Sequence, residues 1–91
     1  STVSAVYYRN GKVYVTLKGT IVIVDENFEN AVYITEYTRD DGTKSAINAP
    51  TGIWVTEDGH IYICEMDQAR LLSLMKTTNL FEQLAIRTVL D

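Results

Sequence analysis

One pattern is written twice in this chain, and that repetition limits the folds open to it more than any other feature. Ala5-Val-Tyr-Tyr-Arg-Asn-Gly-Lys-Val-Tyr-Val15 returns as Gly52-Ile-Trp-Val-Thr-Glu-Asp-Gly-His-Ile-Tyr-Ile63, with one extra residue ahead of the glycine. Each copy reads as strand, tight turn, strand. Asn-Gly between two alternating apolar runs is the strongest short-range hairpin signal, and Glu57-Asp58-Gly59 is its counterpart in the second copy. A small repeated sheet cannot bury both of its faces alone, so a chain of this kind must stack its units on one another.

The residues after each hairpin extend the pattern. In the first copy Thr20–Val24 is a β-branched run, the third strand, and Ala31–Thr38 is a fourth of high β-propensity. Arg39–Asn48 reads as a polar loop that closes at Ala49-Pro50. In the second copy Gly52–Val55 and His60–Cys64 form the hairpin, Glu65–Ala69 is a polar connection, Arg70–Met75 the third strand and Gln83–Val89 the fourth. Local preference objects here, because residues 66–90 are rich in Leu, Met, Ala, Gln and Glu, which favour helices. Asn79-Leu-Phe-Glu82 even resembles a capping box. The first copy is β at the matching positions, so strands are expected. Two units of about 45 residues with four short strands each have the period of propeller blades. The expected fold is therefore all-β, with two four-stranded antiparallel blades: residues 1–48 with the connecting loop, and residues 49–91.

Composition narrows the function. The 91 residues are 46% hydrophobic and 22% charged, a globular balance that argues against disorder. The net charge is −4 and no run of Lys and Arg is present, so the electrostatic footprint of a nucleic-acid binder is missing and attraction to anionic membranes is disfavoured. A single cysteine forbids an internal disulfide and leaves the compartment open. No apolar run approaches the length of a membrane span, so direct membrane insertion is not expected. The chain opens on Ser1 and its last strand runs to the end, from which a segment cut out of a longer protein is expected.

Ala49-Pro-Thr-Gly52-Ile-Trp-Val-Thr-Glu-Asp58-Gly59-His-Ile-Tyr-Ile-Cys-Glu65-Met-Asp-Gln-Ala-Arg70-Leu71 resembles the NHL repeat. The likeness lies in the Pro-x-Gly-Ile-x-Val start, the Asp-Gly-x-Ile-Tyr core and the later Arg. Glu65 stands where that family usually has Asp, and His60 where it has Asn. The first copy is a degenerate version that keeps Asn10-Gly11 and Val13-Tyr14-Val15. The resemblance implies blades of a β-propeller, most often six-bladed, with each first strand lining a central channel. It also implies a ligand-bearing rim built from second-to-third-strand loops and inter-blade loops. That rim would hold Lys18, Arg39, Asp40, Asp41, Lys44, Asn48, Glu65, Asp67 and Gln68. Glu65 and Arg70 bracket one of its loops, as a structural ion pair or as ligand contacts; exposed pairs of this sort contribute under roughly 1 kcal/mol.

Other chemistry finds little support. Glu65, Asp67, Asp40 and Asp41 supply carboxylates for a hard cation, but the regular spacing of a calcium loop is absent and Asp41-Gly42 reads first as a turn. His60, the single histidine, has no neighbour in sequence that would make it a general base. Cys64 ends a strand as a small hydrophobe, without a base or cation run to activate it. One Cys and one His cannot close a zinc site. Tyr7 and Trp54, and Tyr14 and Tyr62, occupy matched positions where inter-sheet packing is the plainer role and an aromatic binding platform the sharper one. Val6, Tyr8, Ile53 and Val55 alternate with them and should face the other way.

The expected function is a non-catalytic scaffold for a protein or small-molecule ligand, with no cofactor, catalytic residue or metal. Its first partners are other blades, in a longer parent or as identical copies, three of which would close six blades. The competing reading is a piece of a metal-dependent propeller hydrolase or lyase. Against it, the innermost strands read Ala5-Val-Tyr-Tyr8 and Gly52-Ile-Trp-Val55 and offer no ligand. A purely structural segment of a large extracytoplasmic or membrane-associated protein is the third.

Overall fold

The computed structural model describes residues 2–65, 70–77 and 80–88, with side chains described within 2–65 and 71–76. Over these residues the protein is all-β, without a helix. The first four strands are β1 (Val3–Arg9), β2 (Lys12–Leu17), β3 (Thr20–Asp25) and β4 (Val32–Ile34). They form an antiparallel meander in the order β1-β2-β3-β4. Asn10 (φ 54°) and Gly11 (φ 75°) are both left-handed, the backbone of a type I′ turn, whose twist matches that of the strands it joins. Asn-Gly is therefore the cause of the first hairpin. The next turn depends in the same way on Gly19, at φ 76°.

The expected fourth strand over 31–38 is broken at Thr35. Val32–Ile34 pairs with β3, and the chain then leaves this sheet to form β5 (Glu36–Thr38) in the second. The expected polar loop 39–48 also contains a strand, β6 (Lys44–Ala46), which makes a short hairpin with β5. Its turn is closed by the Arg39 amide donating to the Thr43 carbonyl at 2.7 Å. Next come β7 (Pro50–Val55), β8 (Ile61–Glu65), β9 (Arg70–Thr77) and β10 (Leu80–Thr88). The second sheet thus has six strands rather than four, ordered β6-β5-β10-β9-β8-β7. Its pairings are antiparallel apart from one parallel bridge, Glu82 to Thr38. The helix-favouring stretch is a strand from Leu80 to Thr88, because pairing along β9 overrides local propensity. Val89, the end of the expected fourth strand, lies outside the described residues.

Register decides which residues share a face. Across the first sheet Tyr7, Tyr14, Ile23 and Val32 lie in one row, and Ala5, Thr16, Ile21 and Ile34 in the next row of that face. The opposite face carries the rows Val6-Val15-Val22-Tyr33 and Tyr8-Val13-Val24. In the second sheet Val55-Ile61-Leu74 and Ile53-Ile63-Leu72 share one face, and Trp54-Tyr62-Ser73 and Gly52-Cys64-Leu71 the other. The core is the Tyr14/Ile21/Ile34 face laid on the Val55/Ile61/Ile63/Leu72/Leu74 face, with Tyr37 and Ile47 joining from β5 and the connection after β6. Fully burying such a side chain is worth about 1.5–3 kcal/mol. Thr16, the polar member of the buried rows, is satisfied by donating to the Ala5 carbonyl.

The loop between β3 and β4 holds a strained residue. Phe28 has φ 62° and is 76% exposed, so a bulky side chain sits in the left-handed region with little burial in return. Its amide donates to the Asp25 carbonyl at 2.8 Å, which fixes that backbone. Phe28→Asn is expected to raise stability by about 1 kcal/mol, since Asn tolerates this conformation. The measurement is the urea midpoint at unchanged slope; a lower midpoint would contradict it.

Candidate functional site

At the end of the sheets that carries the β2–β3 turn, the chain crosses from the β5–β6 hairpin into β7, and several expected rim residues meet there. The Gly19 amide donates to the Asn48 carbonyl, the Ile47 amide to the Thr35 carbonyl at 2.9 Å, and the Asn48 amide to Glu65 Oε2 at 2.9 Å. Glu65 shares the face of Ile63 and Ile61 and is fully buried between the sheets. Its carboxylate accepts a backbone N–H from a segment outside any ladder, which would otherwise be left unpaired. Arg70, its expected ionic partner, is opposite Glu65 in the backbone register; its side chain lies outside the described residues. Lys18 and Asn48 are exposed at this end. Asp67 and Gln68 lie outside the described residues.

Arg39, Asp40, Asp41 and Lys44 belong to the β5–β6 hairpin. Asp41 Oδ1 accepts from the Thr43 amide at 3.0 Å and the Thr43 hydroxyl at 2.6 Å, a side-chain turn that leaves the carboxylate serving its own loop. Arg39 Nε donates to Ser45 Oγ. Lys44 Nζ lies 3.9 Å from Glu36 Oε1, both groups about half exposed. Among the described residues no three His, Cys, Asp or Glu side chains are gathered as a cation site would require. His60 is held by its backbone in the β7–β8 turn, its amide donating to Thr56 Oγ1 at 3.0 Å, and its ring stacks on Tyr62 with centroids 5.6 Å apart. Cys64 is half-buried beside Gly52.

The matched aromatics separate in role. Tyr7 and Trp54 meet at the seam where β1 runs beside β7, with centroids 5.2 Å apart and planes tilted by 45°. The Tyr7 hydroxyl reaches the Val55 carbonyl at 3.4 Å. Tyr14 is buried in the core, whereas Tyr62 is half-buried on the far face of the second sheet. At the opposite end from Glu65, Asn10 Nδ2 donates to the Glu57 carbonyl at 3.0 Å and ties the two hairpin turns together. Beside that tie an apolar groove of about 340 Å³ opens between the sheets, lined by residues including Lys12, Tyr14, Ile61, Met75 and Lys76. The groove was not legible in the sequence, because only the inter-sheet packing brings the Tyr14 row against β8 and β9.

Compared with models of known families, with curated proteins and with solved structures, the chain matches none.

Two outcomes follow from this geometry. Glu65→Ala should cost about 1–3 kcal/mol, the penalty of a part-buried N–H losing its charged acceptor, while Glu65→Gln keeps an acceptor and should cost less than half as much in urea unfolding. Equal losses would mean that the carbonyl-type oxygen is not what matters. The second outcome concerns pH. Hydrogen bonds from Thr43 hold the Asp41 carboxyl below its ordinary value, the Thr56 hydroxyl does the same for Asp58, and Asn30 with Lys12 for Asp25. A lowered folded pKa means that the unfolded chain binds more protons, so this stability is present above about pH 4 and is lost as pH falls through the lowered values. The urea midpoint should drop between pH 6 and pH 3, and Asp41→Asn should flatten that drop.

Proposed function

We propose that the chain is two neighbouring blades of an NHL-like β-propeller and works as a non-catalytic binding scaffold whose first partners are further sheets of its own kind. The observation that carries this reading is the two-faced apolarity of the first sheet. Its Tyr7/Tyr14 face is packed on the second sheet, yet the rows of the other face are also Val and Tyr: Val6-Val15-Val22-Tyr33 and Tyr8-Val13-Val24, with the Glu26 carboxylate accepting from the Tyr8 hydroxyl at the edge. Val6, Tyr8 and Tyr33 are 62%, 58% and 67% exposed. A sheet of a solitary two-layer domain alternates apolar and polar residues, whereas apolar residues on both faces belong to a sheet with neighbours on both sides.

The internal packing supports the same reading through its polarity. By the repeat, Tyr7 and Tyr14 of the first sheet correspond to Trp54 and Tyr62 of the second, and Val6 and Tyr8 to Ile53 and Val55. The interior packing joins the Tyr7/Tyr14 face to the Ile53/Val55 face, which are non-equivalent faces, while the equivalent residues Tyr7 and Trp54 meet only at the edge seam. This head-to-tail sense of the contact supports the blade reading. The faces left over, Val6/Tyr8 on one side and Trp54/Tyr62 on the other, are the same complementary pair. Exposed apolar area of this kind marks association, and a heterologous contact repeated by rotation closes a ring. The scaffold role follows from the fold reading by analogy; the rim around Lys18 and Asn48 is where a ligand of the assembled ring would sit.

The test uses one charge on each open face. Val15→Lys blocks the first sheet's outer face and Tyr62→Lys the second's. Wild-type protein should associate at micromolar concentration in light scattering. Each variant alone should stop that association, and an equimolar mixture should give a complex of two chains and nothing larger. Wild-type protein that runs as a sharp monomer, or Tyr62→Lys that still pairs with itself, would defeat the reading. A stoichiometric divalent ion in the purified wild-type protein would favour the metal-dependent enzyme instead.

A further inference from the structure

Among the described residues, the groove between the sheets has more hydrogen-bond donors than acceptors to meet them. Its walls are apolar, with Ile61 and Met75 among the lining side chains, and its volume of about 340 Å³ lies near the lower end of the range of roughly 300–1,000 Å³ for small-molecule sites. Tyr14 lines it, and only 7% of that residue is exposed. Burial pushes the phenol up from its ordinary pKa, so it remains a donor at neutral pH. Its hydroxyl has no hydrogen-bond partner among the described residues, an uncommon state for the polar group of a buried residue.

The charged groups around the groove point the same way. Lys12 Nζ is 2.9 Å from Asp25 Oδ1, and Asp25 also accepts from Asn30 at 2.8 Å. Asp58 accepts from the Thr56 hydroxyl within its own turn. Asp25 and Asp58 therefore both have donors already. Lys76, on β9, lines the groove, is exposed, and has no carboxylate partner among the described residues. Among the described residues lining the groove, the Tyr14 hydroxyl and the Lys76 ammonium have no side-chain acceptor; both are donors, and an anionic acceptor would pair with both.

We infer that this groove is a binding site for a small free amphiphilic carboxylate, its apolar tail lying between the sheets and its carboxylate held by Lys76 and the Tyr14 hydroxyl. The site lies between the two sheets of a single chain, so it stands or falls separately from the assembly of copies.

Octanoate, below the concentration at which it forms micelles, serves as the probe and backbone amide resonances as the readout. Saturable single-site shifts are expected at Ile23, Gly59, Ile61 and Met75. Lys76→Gln should weaken the affinity about tenfold, the worth of one charge-assisted hydrogen bond. Tyr14→Phe, which keeps the ring in the core, should weaken it by a smaller factor. Octanol should bind clearly more weakly than octanoate, and octylammonium should not bind. Octanol binding as tightly as octanoate, full affinity in Lys76→Gln, shifts centred on Val6, Tyr8 and Tyr33, or no saturable shift would each overturn the site.

Discussion

The packing of Tyr14, Ile21 and Ile34 on Val55, Ile61, Ile63, Leu72 and Leu74 is the contact on which the rest of the molecule depends. Neither sheet has another described layer to rest on, and a chain of this size has little core to spare. That contact fixes how the strands must be joined. The chain has to pass from the first sheet to the second while keeping the β1 edge beside the β7 edge, where Tyr7 meets Trp54. The tie from Asn10 to the Glu57 carbonyl secures one end of this arrangement, and the buried carboxylate of Glu65 secures the other.

A crossing between sheets creates a backbone problem. Residues 47 to 49 lie in no ladder, yet Ile47 is buried. Their backbone groups find partners from three directions: the Ile47 amide donates to Thr35 at the break in the fourth strand, the Asn48 carbonyl accepts from Gly19 in the β2–β3 turn, and the Asn48 amide donates to Glu65 from the second sheet. Glu65 is therefore best understood as a stand-in for a missing strand. A residue whose position suggested a ligand contact is occupied with holding the connection, which explains why a carboxylate is tolerated among Ile61, Ile63 and Leu72.

Much of this was readable from the residues, and what was not has physical causes. Asn10-Gly11 and Asp58-Gly59 announced both hairpins because left-handed turn geometry admits few residue types. The strand expected at 83–89, which runs over 80–88, was legible only through the repeat, since its own composition favours a helix and the deciding energy lies in pairing with β9. The break at Thr35 left no mark, because a β-branched residue reads as strand on either side of a change of sheet. The β6 strand was hidden in Lys44-Ser-Ala46, where no apolar alternation exists and the pairing with β5 is what makes it a strand. For the site, the repeat gave the faces correctly: Val6 and Tyr8 do point away from Tyr7 and Tyr14. It could not show that one set of faces is covered and the other open.

The difference between the two open faces bears on what can cover them. If like met like, the β-branched face of the first sheet would pack on its own copy, and each pair of chains would end with two Trp54 faces still wet. A head-to-tail contact instead sets the Val and Tyr rows against Trp54, Tyr62 and Leu71, the same sort of match already made inside the chain. In a closed ring it would leave no apolar face uncovered. On that geometry the turns at both ends of the strands remain outside the new contacts, so the end bearing Lys18 and Asn48 and the groove beside Asp58-Gly59 stay open to solvent. The parts of the sequence least bound by packing are then the parts left for recognition.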